Sequence, residues 1–513
     1  MPAGIAEAPG DHRILLMHAN SCQVAVLCAT LATLIVPAST AGAQSDIAFP
    51  PSVYAERRAR LANTVGESVI VIPGRYLINP GDGLVKQDPT FWYLTGVESP
   101  YAILVMRVAA PDAPAPRVRS YLFLPTAYQF AGGQLPMLDD GFRRAVWNRP
   151  RRRLVPGPES AGLTLVDATI PVDSFVPRFR EIARGATTVF VPDESAMYVP
   201  PGLTAPQSIE RQLSAQVAAL VPEATIANVA PAVEQMRLVK DAHEIDALRH
   251  SARISATGMR EAMARVRPGM NDRELAGYME YVWKREGSNR SSFSPIVSSG
   301  PNAMTFFSVL RENYNAVDRL MKAGDLVFVD YGAAEYNMYT ADLCRTWPVS
   351  GRFTPEQRKY YDIVLEAQEA AIAAIKPGVM MVDVIKVAAR VFQKYGLEQY
   401  EDVVKMGEDK VWGIMPSPTH YLTRDAGIVR YSPLGRGVRD LGHHIGLETQ
   451  DSRDYSKPLA PGMVVTIEPK IYIPEKHIAI MIEDMILVTA SGHENLSASL
   501  PKRATDIERL MKK

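Results

Sequence analysis

Five residues of this chain have the types and spacing of a metal centre. Asp330 closes the apolar run Leu326-Val327-Phe328-Val329, and Glu468 closes a second one, Met463-Val464-Val465-Thr466-Ile467. Each carboxylate stands six residues beyond a turn glycine, Gly324 in one case and Gly462 in the other. Asp342 follows Asp330 by twelve residues, across a polar connection through Asn337 and Tyr339, a spacing that suits a hairpin. Glu483 follows Glu468 by fifteen, within Ile480-Met481-Ile482-Glu483-Asp484, and His443 lies in Gly442-His443-His444-Ile445-Gly446-Leu447. Short apolar, β-branched runs read as buried strands, and a carboxylate ending a buried strand is costly unless a cation meets it. Four such carboxylates repel one another and would take up protons. Two divalent ions, with about four positive charges between them, remove the problem. Oxygen ligands with one imidazole suit manganese, cobalt, iron or zinc. Two such ions roughly 3.5–4 Å apart hold a bridging hydroxide and orient a carbonyl, which is hydrolytic chemistry.

The elements needed to position these residues occur twice. A long amphipathic helix is expected over 241–266, with Ile245, Leu248, Ala252, Ser255, Met259 and Met263 on its period. Pro268-Gly269 ends it, and a second helix starts at Asn271 or Asp272. Further on, Thr354-Pro355-Glu356-Gln357 is a capping box with proline at the first helical position. It opens a helix that ends at Lys376-Pro377-Gly378, followed by another from about Val382. The order of long helix, Pro-Gly, helix, glycine turn and strand ending in a carboxylate thus spans 240–350 and again 354–490, an internal duplication in an α+β domain. Two half-domains meeting face to face would bring the strand-end carboxylates together. Residues 54–229 instead alternate strands, at 68–72, 102–108 and 121–124, with helices and proline-rich loops. No acid/base or metal cluster is visible there, and the segment reads as an α/β accessory domain.

The 513 residues suffice for two or three domains. Hydrophobic residues make up 47% and formal net charge is zero, so no nucleic-acid or anionic-surface partner is expected. The basic run Arg149 to Arg153 reads as a solvated loop. Arg13 and His18 precede an apolar stretch at 24–36 and then Ala41-Gly42-Ala43, the pattern of a signal peptide over 1–43. Cleavage after Ala43 would give a periplasmic or secreted product with no membrane contact; Met17 is an alternative start, and a retained anchor the alternative reading. Cys22 and Cys28 fall in this segment, which leaves Cys344 alone and permits no internal disulfide.

Two further stretches carry a family likeness. One is Arg237-Leu238-Val239-Lys240 with Glu244-Ile245 and Leu248-Arg249; the other is Asp88-Pro89-Thr90-Phe91-Trp92-Tyr93-Leu94-Thr95-Gly96. With the five residues above, the chain resembles the pita-bread metallopeptidases over about 52–495, in their aminopeptidase P and Xaa-Pro dipeptidase branch. The resemblance implies a pita-bread catalytic domain with pseudo-two-fold duplication at 237–500, preceded by a creatinase/aminopeptidase P-like domain at 52–232. It implies that Asp342 and Glu483 bridge two metal ions, that Asp330 binds one, and that His443 and Glu468 bind the other. Glu468 would also accept the proton of the attacking water. The implied reaction removes the N-terminal residue from peptides with proline in second position, or splits an Xaa-Pro dipeptide. Manganese is the first expectation for the two ions, with cobalt, zinc or iron as alternatives, and the implied assembly is a homodimer or homotetramer.

The chain departs from the family in its auxiliary groups. Phe307, Arg439 and Gln450 stand where the family carries histidines, and Met481 stands in place of an arginine. Phenylalanine transfers no proton, glutamine donates a hydrogen bond without titrating, and arginine holds an oxyanion but is a poor acid. Arg439 and Gln450 are therefore the remaining candidates, beside Glu468, for catalytic contact. His444 is expected on the face opposite His443, and His420 in a loop, either exposed or reaching the pocket. Phe306, Phe307, Tyr336 and Tyr339 would either line an apolar subsite or belong to the core. These losses leave two alternatives: a non-peptidase metal enzyme (a lyase on a small sulfonium compound, or another amide hydrolase), and a pita-bread binding protein without turnover.

Overall fold

The structure, a computed structural model, describes residues 48–512 except 76–85, 127–128, 131–132, 135–153, 194–208, 289, 306–318, 334–337, 398–440 and 453. The segment read as a signal peptide, Cys22, Cys28 and the run Arg149 to Arg153 lie outside the described residues. No helix among the described residues is long and apolar enough to cross a membrane.

Strands β1 (Ser68–Pro73), β2 (Ile103–Val108), β3 (Val118–Leu124), β4 (Ala168–Pro171), β5 (Thr188–Val191) and β6 (Thr225–Asn228) make one sheet in the order β4-β3-β2-β1-β5-β6. The first three are antiparallel neighbours, and the outer three join in parallel. The apolar run expected at 68–72 is one of the two central strands, buried along its whole length. Helix α1 (Pro51–Val65) precedes the sheet. Short helix α2 (Pro89–Thr95) is the family-like stretch noted above. It is capped by Asp88, which accepts from Phe91 N at 2.7 Å, and Phe91 to Thr95 are all buried.

Helix α3 (Ala230–Leu238) leads to α4 (Ala242–Arg265), whose N-terminus is a complete capping box between Asp241 and Glu244. Helix α5 (Asp272–Arg285) follows, capped by Asn271. The second half opens with α6 (Pro355–Ala374), bearing the expected Thr354/Gln357 box, and α7 (Met381–Lys394). The duplication extends to backbone detail. The inter-helix glycines Gly269 and Gly378 have φ of 86° and 87°, and the pre-strand glycines Gly324 and Gly462 have 90° and 91°. Gly269 N donates to Met321 O and Gly378 N to Leu459 O, each at 2.8 Å.

In the first half, β7 (Ile296–Ser299), β8 (Leu326–Asp330) and β9 (Cys344–Pro348) form an antiparallel sheet with β8 in the centre. In the second, β10 (Val464–Ile467), β13 (Asp484–Val488) and β14 (His493–Asn495) form another, while β11 (Lys470–Ile473) and β12 (Ile478–Met481) pair as a hairpin. The run 480–484, expected as one strand, is divided. β12 pairs with β11 and β13 with β10, so the chain changes partners at Ile482-Glu483. At that break Glu483 N donates to Cys344 O at 3.0 Å and couples the two halves.

Two glycines permit close approaches beside the candidate residues. A Cβ on Gly332 would lie 1.6 Å from Ala341 O, across the hairpin between Asp330 and Asp342. Gly442, at φ 151°, lies against β10, where a Cβ would fall 2.2 Å from Thr466 O. Gly442→Ala is expected to push the His443 segment off β10 at a cost of about 1–3 kcal/mol. Thermal denaturation should show a lower Tm for metal-free protein; an unchanged Tm would contradict this packing.

Candidate metal centre

Backbone register brings the five residues together. Asp330, at the end of β8, pairs with Cys344, and Asp342 lies two residues before that cysteine. Glu483 bridges to the same cysteine from the other half. The His443 segment runs antiparallel to β10: His443 N donates to Thr466 Oγ1 at 3.1 Å, Thr466 N to His443 O at 2.8 Å, and Glu468 N to Leu441 O at 3.1 Å. All five side chains are buried. His443 Nε2 lies 3.4 Å from Asp342 Oδ2 and 3.6 Å from Glu468 Oε1. One ligand atom each from Asp342, His443 and Glu483 fall within 4.8 Å of one another. His443 Nδ1 is 3.2 Å from His444 O. Donation to that carbonyl leaves the Nε2 lone pair facing the carboxylates, as a metal-ligating imidazole requires.

The residues present fit divalent cations. Asp330 Oδ1 and both carboxylate oxygens of Glu483 are buried with no hydrogen-bond partner among the described residues, an arrangement that costs free energy unless a cation completes it. Burial, and then the charge of Glu468, pushes the Asp330 carboxyl up to about 7. Burial, followed by the charges of Asp342, Glu468 and Asp330, raises Glu483 well above the ordinary range. One cation belongs to the chain itself: Lys470, 1% exposed, places Nζ 2.8 Å from Glu468 Oε2. The sequence reading did not single it out. The available signal was its position two residues beyond Glu468 in extended chain, which puts both side chains on one face.

A second layer of ion pairs fixes the backbone behind these residues. Arg345 donates to Glu483 O at 2.6 Å, to Cys344 O at 2.8 Å and to Asp484 Oδ1 at 2.6 Å. Asp484 also accepts from Gln368, Asn495 and Ser497. Burial alone would raise the Asp484 carboxyl, but Arg345 and Lys502 outweigh it and hold the group well below the carboxylate range. In the loop after His443, Asp451 is paired with Arg237 and, at 3.1 Å, with Lys240. Against burial, those two cations hold it at about 2. Tyr339 OH donates to Glu244 Oε1 at 2.7 Å, and Arg57 of α1 lies 3.2 Å from Glu244 Oε2, so the N-terminal part anchors the Asp330–Asp342 connection. Tyr339 is core, packed against Trp92 and Phe49.

His444 is a core histidine. It stacks on Tyr455 at 5.2 Å, and burial, with Lys240 nearby, lowers its pKa to about 3. Met481 is buried in β12 beside Phe328, Cys344 and Tyr472. Gln450 is exposed in the loop after His443. Arg439, Phe306, Phe307, Tyr336 and His420 lie outside the described residues.

Because Asp330 and Glu483 hold protons more tightly than ordinary carboxyls, a cation must displace them. Metal affinity should fall as pH is lowered from 8 to 6, through the Asp330 value of about 7. Calorimetric titration in two buffers of different ionisation enthalpy should register proton release. Equal affinity at both pH values without proton release would contradict this electrostatic reading.

Comparison with known proteins gives the lineage. Residues 246–490, which contain all five candidates, match the family "Metallopeptidase family M24". Residues 54–190 match "Aminopeptidase P, N-terminal domain". The Xaa-Pro aminopeptidase of Escherichia coli (strain K12) is 30% identical over 438 residues, 83% of this chain and 89% of that protein. The Haemophilus influenzae Xaa-Pro aminopeptidase is 28% identical, over 83% of this chain and 88% of its own length. Among solved structures, proline aminopeptidase P II from Yersinia pestis has a TM-score of 0.67 at 28% identity, covering 90% of this chain and 99% of that one. Aminopeptidase P from E. coli with the inhibitor Pro-Leu has a TM-score of 0.67 at 27% identity, covering 90% and 98%. These matches confirm the pita-bread architecture with its added N-terminal domain. The chain belongs to metallopeptidase family M24, in its aminopeptidase P branch, and is a metal-dependent aminopeptidase.

Proposed function

We propose that this aminopeptidase removes the N-terminal residue from peptides with proline in second position. The observation that carries the reading is the buried convergence of Asp330, Asp342, His443, Glu468 and Glu483 in a chain aligned over 83% of its length with a protein named Xaa-Pro aminopeptidase. Asp342, His443 and Glu483 would hold a divalent ion, with Asp330 and Glu468 completing a centre that has positions for two. When bound, such ions polarise a peptide carbonyl and lower the pKa of a water. The remaining work falls to side chains. Glu468, 3.6 Å from His443 Nε2, is placed to take the proton of the attacking water and pass it towards the leaving amine. Thr466 Oγ1 accepts from the His443 backbone N–H, and the His444 carbonyl holds the His443 ring in one orientation. Burial of the whole cluster keeps bulk water out and strengthens each interaction with the substrate carbonyl. Arg439 and Gln450 are proposed to take over substrate contacts that histidines make elsewhere in the family.

Manganese as the native metal rests on the hard oxygen ligand set. Export, with cleavage after Ala43, rests on the N-terminal pattern, and a dimeric or tetrameric assembly on the family likeness. The lyase and binding-protein alternatives are not favoured, because relatives aligned over most of the chain carry peptidase names.

The test is hydrolysis of short Xaa-Pro peptides, and of matched peptides with alanine second, by protein supplied with manganese or cobalt. The Xaa-Pro series should be preferred, and Glu468→Ala should lower kcat by on the order of 10²–10⁴ with the fold intact. Metal-loaded protein that cleaves no Xaa-Pro peptide, or a Glu468→Ala variant of full activity, would sink the proposal.

A further inference from the structure

Among the described residues, Lys470 is a buried cation in contact with the carboxylate cluster that the reaction above does not use. It opens β11 directly after the Glu468-Pro469 break, with its side chain 1% exposed, and its Nζ–Oε2 contact to Glu468 is 2.8 Å. A buried ammonium is tolerated only against a close negative partner, and this one has spent an oxygen of a residue otherwise suited to a metal. The remaining oxygen, Glu468 Oε1, lies 3.6 Å from His443 Nε2 and so leans toward the position formed by Asp342, His443 and Glu483.

We infer that the centre is asymmetric: one divalent ion binds tightly at Asp342, His443 and Glu483, with Glu468 beside it, and the Lys470 ammonium stands in for a second tightly held ion at the position that Asp330 would complete. The inference rests on the divalent centre proposed above and concerns its occupancy. Two arguments support it. The first is proximity. A buried ammonium within a hydrogen bond of one ligand oxygen, whose charge also reaches Asp330, repels a second dication entering the cluster, and burial leaves little solvent to screen that repulsion. The second is charge balance. Asp330, Asp342, Glu468 and Glu483 carry four negative charges when ionised, and Lys470 with one dication offsets three of them. A second dication would need a bound hydroxide beside it to keep the buried cluster from becoming net positive, a requirement the first ion does not have. Occupancy of the second position is therefore weak and reached only at high metal concentration.

The test counts metal and does not depend on turnover. Metal-free full-length protein is titrated with Mn²⁺ or Co²⁺, passed over a desalting column, and assayed for bound ion per chain by mass spectrometry, with calorimetry giving the affinities. Wild type should retain one ion. Lys470→Arg, which keeps the charge, should also retain one, and Lys470→Met should retain two, the second bound at least tenfold more tightly than in wild type. Circular dichroism checks that the variants fold. Two tightly bound ions in wild type would overturn the inference and leave the metal centre standing, as would a folded Lys470→Met that still holds one. Wild type that binds no ion would instead overturn the centre itself. The wild-type count decides between one and two even if Lys470→Met does not fold.

Discussion

The structure turns on the burial of four carboxylates around one imidazole. Asp330, Asp342, Glu468 and Glu483 are each less than a tenth exposed, and charges packed so closely in a dry interior are stable only against cations or protons. Lys470 answers one of them. Burial and the neighbouring carboxylates push Asp330 and Glu483 upward. A fold that aimed its acids outward would have no such difficulty and no such chemistry, so the electrostatic cost and the catalytic capacity have one origin.

The scaffold holds that arrangement from behind. Charged pairs made with no metal ligand's side chain fix the backbone on either side of the cluster: Arg345 with Asp484 behind Glu483, and Arg237 and Lys240 with Asp451 in the loop that follows His443. Their carboxylates are driven down where Asp330 and Glu483 are driven up, because each has its own arginine or lysine within hydrogen-bond reach. The N-terminal part contributes as well, since Arg57, Glu244 and Tyr339 link α1 to the hairpin that carries Asp330 and Asp342.

Much of this was legible in the chain because it is local. Strand-end acids at equal distance from turn glycines, capping boxes at Asp241 and Thr354, and Pro-Gly breaks between helices are short-range signals, and the elements formed where they point. What was not legible depends on distant pairing. The division of 480–484 into two strands follows from a change of partner that only the assembled halves create. The Arg345–Asp484 pair joins residues 139 apart in sequence, and neither carries a mark of it. Lys470 was within reach of sequence reasoning through the two-residue period of extended chain, but its burial came only with the fold.

The claim on which the account depends is that the orphaned oxygens of Glu483, beside Asp342 and His443, exist to meet a cation. Anomalous diffraction at the manganese or cobalt edge, from crystals grown with that ion, tests it most directly. The account predicts a strong peak within about 2.0–2.3 Å of ligand atoms of Asp342, His443 and Glu483. A map with no peak among those three residues, or with its strongest peak elsewhere on the chain, would contradict it.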